Sequence, residues 1–121
     1  MKALLYVFLG GGVGSVLRYF ISSVSTRFFS VGIFPIGTLL INVLGSFLIG
    51  YFSGSFLKED TPLKYLLITG FCGGFTTFSA FSIENVTLWQ NGQTGMAVLY
   101  VVNSVFLGIL SVFAGLYLAK G

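Results

Sequence analysis

The sequence predicts an all-α membrane protein, a bundle of four membrane-spanning helices in a single domain covering residues 1–121. Three observations lead there. The chain of 121 residues is 55% hydrophobic and only 7% charged, and its mean hydropathy is +0.99, whereas soluble domains carry about a quarter charged residues. Four apolar stretches, at about 3–20, 33–57, 65–88 and 96–119, are each long enough to cross a bilayer and are separated by polar intervals. The third of them is a poor helix in its middle, which predicts a broken membrane helix.

The first span begins after Lys2. An N-terminal basic residue and an apolar run resemble a signal peptide, but no small-x-small cleavage site precedes Arg18, so the segment is read as retained. Gly10 and Gly14 form a G-x-x-x-G pair that lets another helix approach closely. Arg18 lies near the far end, where it either snorkels to the interface or stands at the mouth of an anion path. The polar interval Ser22–Ser30 marks a first loop.

Ile33–Leu57 is the second span, 25 uncharged residues, with Pro35 in its first turn. Thr38, Asn42 and Ser46 recur every four residues and share one helix face, which Gly50 and Gly54 continue as a small-residue ladder. An amide at membrane depth must be hydrogen-bonded or wet, so Asn42 is either glue between helices or part of a pore.

Lys58–Pro62 forms the second loop, and 19 uncharged residues run from Tyr65 to Ile83. Within them lies Gly70-Phe71-Cys72-Gly73-Gly74-Phe75-Thr76-Thr77-Phe78-Ser79-Ala80-Phe81. Its glycines and paired threonines weaken the helical ladder. Non-helical backbone at this depth survives only where protein buries it or where it lines a wet cavity. Glycines alone fit a packing face equally well; the Thr-Thr-Phe-Ser run favours the break. Trp89 and Asn91-Gly92 mark the exit. In the fourth span Tyr100, Ser104, Gly108 and Ser111 form a second polar stripe.

This composition excludes several functions. With three acidic residues and no histidine, acid–base or nucleophilic catalysis has almost no raw material, so an enzyme is not expected. Cys72 is alone, which rules out an intrachain disulfide or a cysteine metal site. The six basic residues are scattered and make no nucleic-acid patch. The polar equipment read as facing inward, namely hydroxyls, one amide and aromatic rings, suits a small ion: ring edges solvate an anion weakly, and freed carbonyls suit a small hard cation.

The run at 70–81, with Gly37-Thr38-x3-Asn42-Val43-x-Gly45 and Gly14-x3-Arg18-Tyr19, resembles the Fluc (CrcB-type) fluoride channels. Ala80 departs from that pattern, where the family usually has threonine. The resemblance implies a fluoride-selective passive channel of the cell (inner) membrane, exporting toxic fluoride as an antiparallel, dual-topology homodimer. Phe78 and Phe81 would be ring-edge fluoride ligands and Asn42 the pore amide. The hydroxyls of Thr77, Ser79, Tyr100 and Ser104 would belong to the pathway, with Arg18 at the aqueous vestibule. The backbone carbonyls of Gly73 and Thr76 would hold a central structural sodium ion shared by both subunits. The charge bias alone points elsewhere: Lys2, Lys58, Lys64 and Lys120 share one side, against Arg27 and Arg18, which favours a single orientation. A small four-span drug/proton antiporter is the alternative function. It needs a carboxylate in mid-membrane, and Glu84, at the end of the third span, is the single candidate. An accessory membrane subunit would explain the glycines but not the Thr-Thr-Phe-Ser core.

Overall fold

The computed structural model describes residues 2–28, 35–56 and 63–120. The expected limits of the second span at Ile33 and Leu57, the end of the first loop at Ser30, the loop Lys58–Pro62 and Gly121 lie outside them. The regular elements among the described residues are all helical: α1 (Lys2–Phe28), α2 (Ile36–Phe56), a π-helix (Lys64–Cys72), a single turn α3 (Gly73–Phe75), α4 (Phe78–Gln90) and α5 (Thr94–Lys120). Four helical segments are long and apolar enough to cross a membrane, with the π-helix, α3 and α4 together making the third.

Helix α1 continues through Ser22–Arg27, where the polarity of the sequence suggested a loop. That stretch carries neither glycine nor proline to stop a helix. Serine and threonine mark where the chain leaves the lipid core, not where helical hydrogen bonding ends. At 27 residues α1 is about 40 Å long, more than the roughly 30 Å hydrocarbon core. Pro35 stands just ahead of α2, and its carbonyl accepts the Leu39 N–H at 3.2 Å.

Two backbone-to-backbone seams organise the bundle. In the first, α1 packs against the π-helix and α3 through glycines: a Cβ on Gly10 would collide with the Leu66 carbonyl, one on Gly14 with the Phe71 carbonyl, and one on Gly74 with the Gly11 carbonyl. The G-x-x-x-G pair is therefore a notch, and Gly70 and Gly74 serve packing as well. In the second seam, α2 meets α5, with Gly50 against the Val112 backbone and Gly115 against that of Phe47.

The chain leaves helical geometry at Thr76 (φ −83°, ψ 158°) and Thr77 (φ −148°, ψ 119°). Gly73 keeps ordinary helical angles (φ −62°, ψ −40°), so the glycines are not where the backbone turns extended. β-branched side chains prefer the extended region, which accounts for the location. Leu39, Leu88, Ala97 and Tyr100 form a small core beneath α4, with Phe81 and Val43 against it. The α4–α5 connection uses Gly92 at φ +78°, a left-handed conformation that glycine adopts freely, and Gln93 N–H closes on the Leu88 carbonyl at 2.8 Å.

Candidate functional site

Two extended residues at membrane depth orphan backbone groups that a continuous helix would pair, and side chains from other helices take them up. Asn42 of α2 grips Thr77 from both sides: its Oδ1 accepts the Thr77 N–H at 3.0 Å, and its Nδ2 donates to the Thr77 carbonyl at 3.2 Å. The amide thus imitates a neighbouring strand. Thr77 Oγ1 caps α4 by accepting the Ala80 N–H at 3.1 Å, and Ser79 Oγ lies 3.4 Å from the same hydroxyl. Thr76 closes the preceding turn, its N–H and its Oγ1 both donating to the Cys72 carbonyl, at 3.0 and 2.9 Å. From α1, Arg18 Nε donates to the Gly74 carbonyl at 3.1 Å.

These bonds divert two donors. Helical winding would give the Gly73 carbonyl the Thr77 N–H, which goes to Asn42. It would give the Thr76 carbonyl the Ala80 N–H, which goes to Thr77 Oγ1. Among the described residues neither oxygen takes another donor, which leaves both to a ligand. A Cβ built on Gly73 meets nothing within 4 Å, so that backbone faces open space. Bare carbonyl oxygens and room beside them fit a hard cation.

A groove of about 570 Å³ runs along this side of the bundle. Asn42, Gly73, Thr76, Thr77, Phe78, Phe81 and Ser104 all line it, so seven of the ten expected site residues converge, joined by Ser46 and Cys72. Phe78 and Phe81 are neighbours, with ring centroids 5.7 Å apart, and Phe81 in turn leans on Tyr100 at 5.0 Å. Phe78 is 78% exposed in the isolated protomer. Ser104 Oγ is buried and has no hydrogen-bond partner among the described residues.

Three expected site residues stand apart from the groove lining. Arg18 reaches the break from the α1 side, through Gly74. Ser79 is exposed on the first turn of α4 beside Thr77. Tyr100 is fully buried, and its hydroxyl donates to Glu84 Oε1 at 2.9 Å while Thr38 Oγ1 donates to Oε2 at 2.8 Å. A carboxylate held by two hydroxyls from two other helices is a polar cluster that the sequence reading did not assemble. The signal was there: Thr38 opens the stripe that contains Asn42, and Glu84 follows Phe81 by three residues on the same helix. Along the second stripe, Gly108 faces Ser46 Oγ, 3.7 Å from a built Cβ. Ser111 instead bonds the Leu107 carbonyl of its own helix at 2.6 Å.

The family model described as CrcB-like protein, Camphor Resistance (CrcB), matches residues 5–116. A fluoride-specific ion channel FluC of Flavobacterium psychrophilum is 47% identical over 123 aligned positions, covering 99% of this chain and 98% of the relative. Proteins of the same description in Azobacteroides pseudotrichonymphae and Rhodopseudomonas palustris are 42% and 44% identical, covering 99% and 96% of this chain and 98% and 95% of theirs.

Proposed function

Since this chain belongs to the CrcB family, we propose that it is a fluoride-selective passive channel that lets fluoride leave the cell, a multi-pass protein of the cell membrane and not an enzyme. The observation that carries the reading is the groove itself. It gathers Phe78, Phe81, Asn42, Thr77 and Ser104 along one open path at membrane depth, in a chain similar over nearly its whole length to proteins named fluoride-specific ion channels. Aromatic rings carry a positive edge, and edges, one amide and hydroxyls coordinate a small anion weakly at several points. Weak multi-site coordination permits both entry and exit.

Three finer elements belong to the same reading. The third span works as a broken membrane helix whose exposed groups are held by Asn42, Thr77 and Arg18. The working unit is an antiparallel, dual-topology homodimer; the exposure of Phe78 and of the groove supports a second copy completing each path. Gly73 and Thr76 supply carbonyl oxygens to a structural sodium ion shared between the copies; the diverted donors support that role. Glu84 has both oxygens bound by hydroxyls, which gives the antiporter reading no specific support.

The test is fluoride efflux from liposomes holding the purified protein, followed with a fluoride electrode and repeated with chloride. Rapid fluoride release with little chloride release is expected. Equal rates for the two anions, or none for fluoride, would overturn the proposal.

A further inference from the structure

Arg18 and the break meet at one oxygen, and that contact has a function of its own. At the turn Gly73–Phe75, helical winding fails for three carbonyls in different ways. Those of Gly73 and Thr76 lose their donors to Asn42 and to Thr77 Oγ1, while that of Gly74 is claimed by Arg18 Nε at 3.1 Å, with Ser15 Oγ at 3.5 Å from the same atom. Gly74 is itself seated against the Gly11 backbone, so α1 holds this peptide by packing and by a charged donor together. A cation at a helix C-terminus and a charge-assisted hydrogen bond act in the same direction there.

We propose that Arg18 is a positioning residue: by binding the Gly74 carbonyl it fixes the orientation of the turn, so that the Gly73 and Thr76 carbonyls, and not that of Gly74, are presented to a cation. This rests on the reading that Gly73 and Thr76 hold sodium. It differs from a vestibule role, in which the positive charge of Arg18 attracts anions and its hydrogen bond is incidental.

Side-chain geometry separates the two roles. Glutamine carries an N–H donor at the same point along its side chain as arginine's Nε, without the charge. Methionine places a methyl group there. The thermal midpoint of the purified protein in detergent is measured against sodium concentration for the wild type, Arg18→Gln and Arg18→Met, with N-methylglucamine as the replacing cation, and fluoride flux is measured alongside. The expectation is that Arg18→Gln keeps the wild-type sodium dependence, even where flux falls for lack of charge. Arg18→Met should need about tenfold more sodium for half its stabilisation, the scale of one lost hydrogen bond. Identical sodium dependence in Arg18→Gln and Arg18→Met would overturn the proposal while leaving the cation reading intact. A wild type indifferent to sodium would overturn the cation reading itself and this inference with it. Should Arg18→Met fail to fold, the wild type labelled with 15N at arginine Nε decides. Arg18 and Arg27 are the two arginines of the chain, and Arg27→Lys assigns their signals. A slowly exchanging Arg18 Nε–H, slower in sodium than in N-methylglucamine, is expected, because a bond that favours the cation must be favoured by it in return; exchange as fast as in free arginine, or the same in both cations, would overturn the proposal.

Discussion

Phe78 and Phe81 invite the sharpest test at the scale of single residues. Isoleucine keeps bulk and apolarity but has no ring edge. Phe78→Ile and Phe81→Ile should each lower fluoride flux about tenfold or more, equivalent to roughly 1.4 kcal/mol in the barrier, in protein that still folds. Flux at the wild-type rate in both variants would make the rings packing alone. Asn42 is a different case, because the amide is bound to Thr77 through both of its ends. Asn42→Asp removes the donor to the Thr77 carbonyl and sets a carboxylate oxygen against it. The variant should lose flux and also unfold at lower temperature, since a buried acceptor without a donor costs about 1–3 kcal/mol. An Asn42→Asp protein of wild-type stability would show that the clamp is dispensable.

For the elements, the break between α3 and α4 depends on capping and on the seam with α1. Thr77→Val keeps the branched shape that favours extended backbone but deletes the hydroxyl that caps α4, a loss of about 1 kcal/mol. Thr77→Ser should retain most of that stability, and a thermal melt of the two side by side decides it. The glycine notch predicts a larger effect. Gly14→Val drives a side chain into the Phe71 backbone, and overpacking of this kind costs about 3 kcal/mol, enough to lose much of the folded protein on extraction. Gly73 differs from these notches. The observed angles are helical and the space is open. Gly73→Val should therefore leave the protomer folded and act by filling the space beside the freed carbonyls, abolishing the sodium dependence of stability. A Gly73→Val variant that keeps that dependence would remove Gly73 from the cation site.

On the scale of the whole molecule, the exposed groove and the mixed charge bias both bear on how copies of the chain are arranged. An inverted pair would bring two breaks together, so that their free carbonyls face one another and not lipid. The bias of lysines toward one side is small and need not fix a single orientation. Gln93 lies in the exposed turn between α4 and α5, and Cys72, buried, is the chain's one thiol. In a Cys72→Ser background first shown to conduct, Gln93→Cys should label to about half from outside intact cells with an impermeant thiol reagent. Labelling near none or near complete would establish one orientation.

Composition and spacing alone determined that the chain spans a membrane four times, that Thr38, Asn42 and Ser46 share a face, and that the third span carries the unusual chemistry. Those conclusions need only hydropathy and helical period, which are properties of the chain itself. The same reasoning marked the 70–81 run as irregular through its glycines and paired threonines together and could not divide the roles between them, because propensity treats each residue without its neighbours. Only the tertiary structure decided that Gly70 and Gly74 are notches for α1, that the extended residues are Thr76 and Thr77, and that Arg18 turns inward to Gly74. It also decided that Glu84 is shared by Thr38 and Tyr100. Each depends on which backbone lies opposite: a glycine becomes a notch only when another helix fills it, and a carbonyl is free only once its donor has been taken by a side chain from elsewhere in the fold.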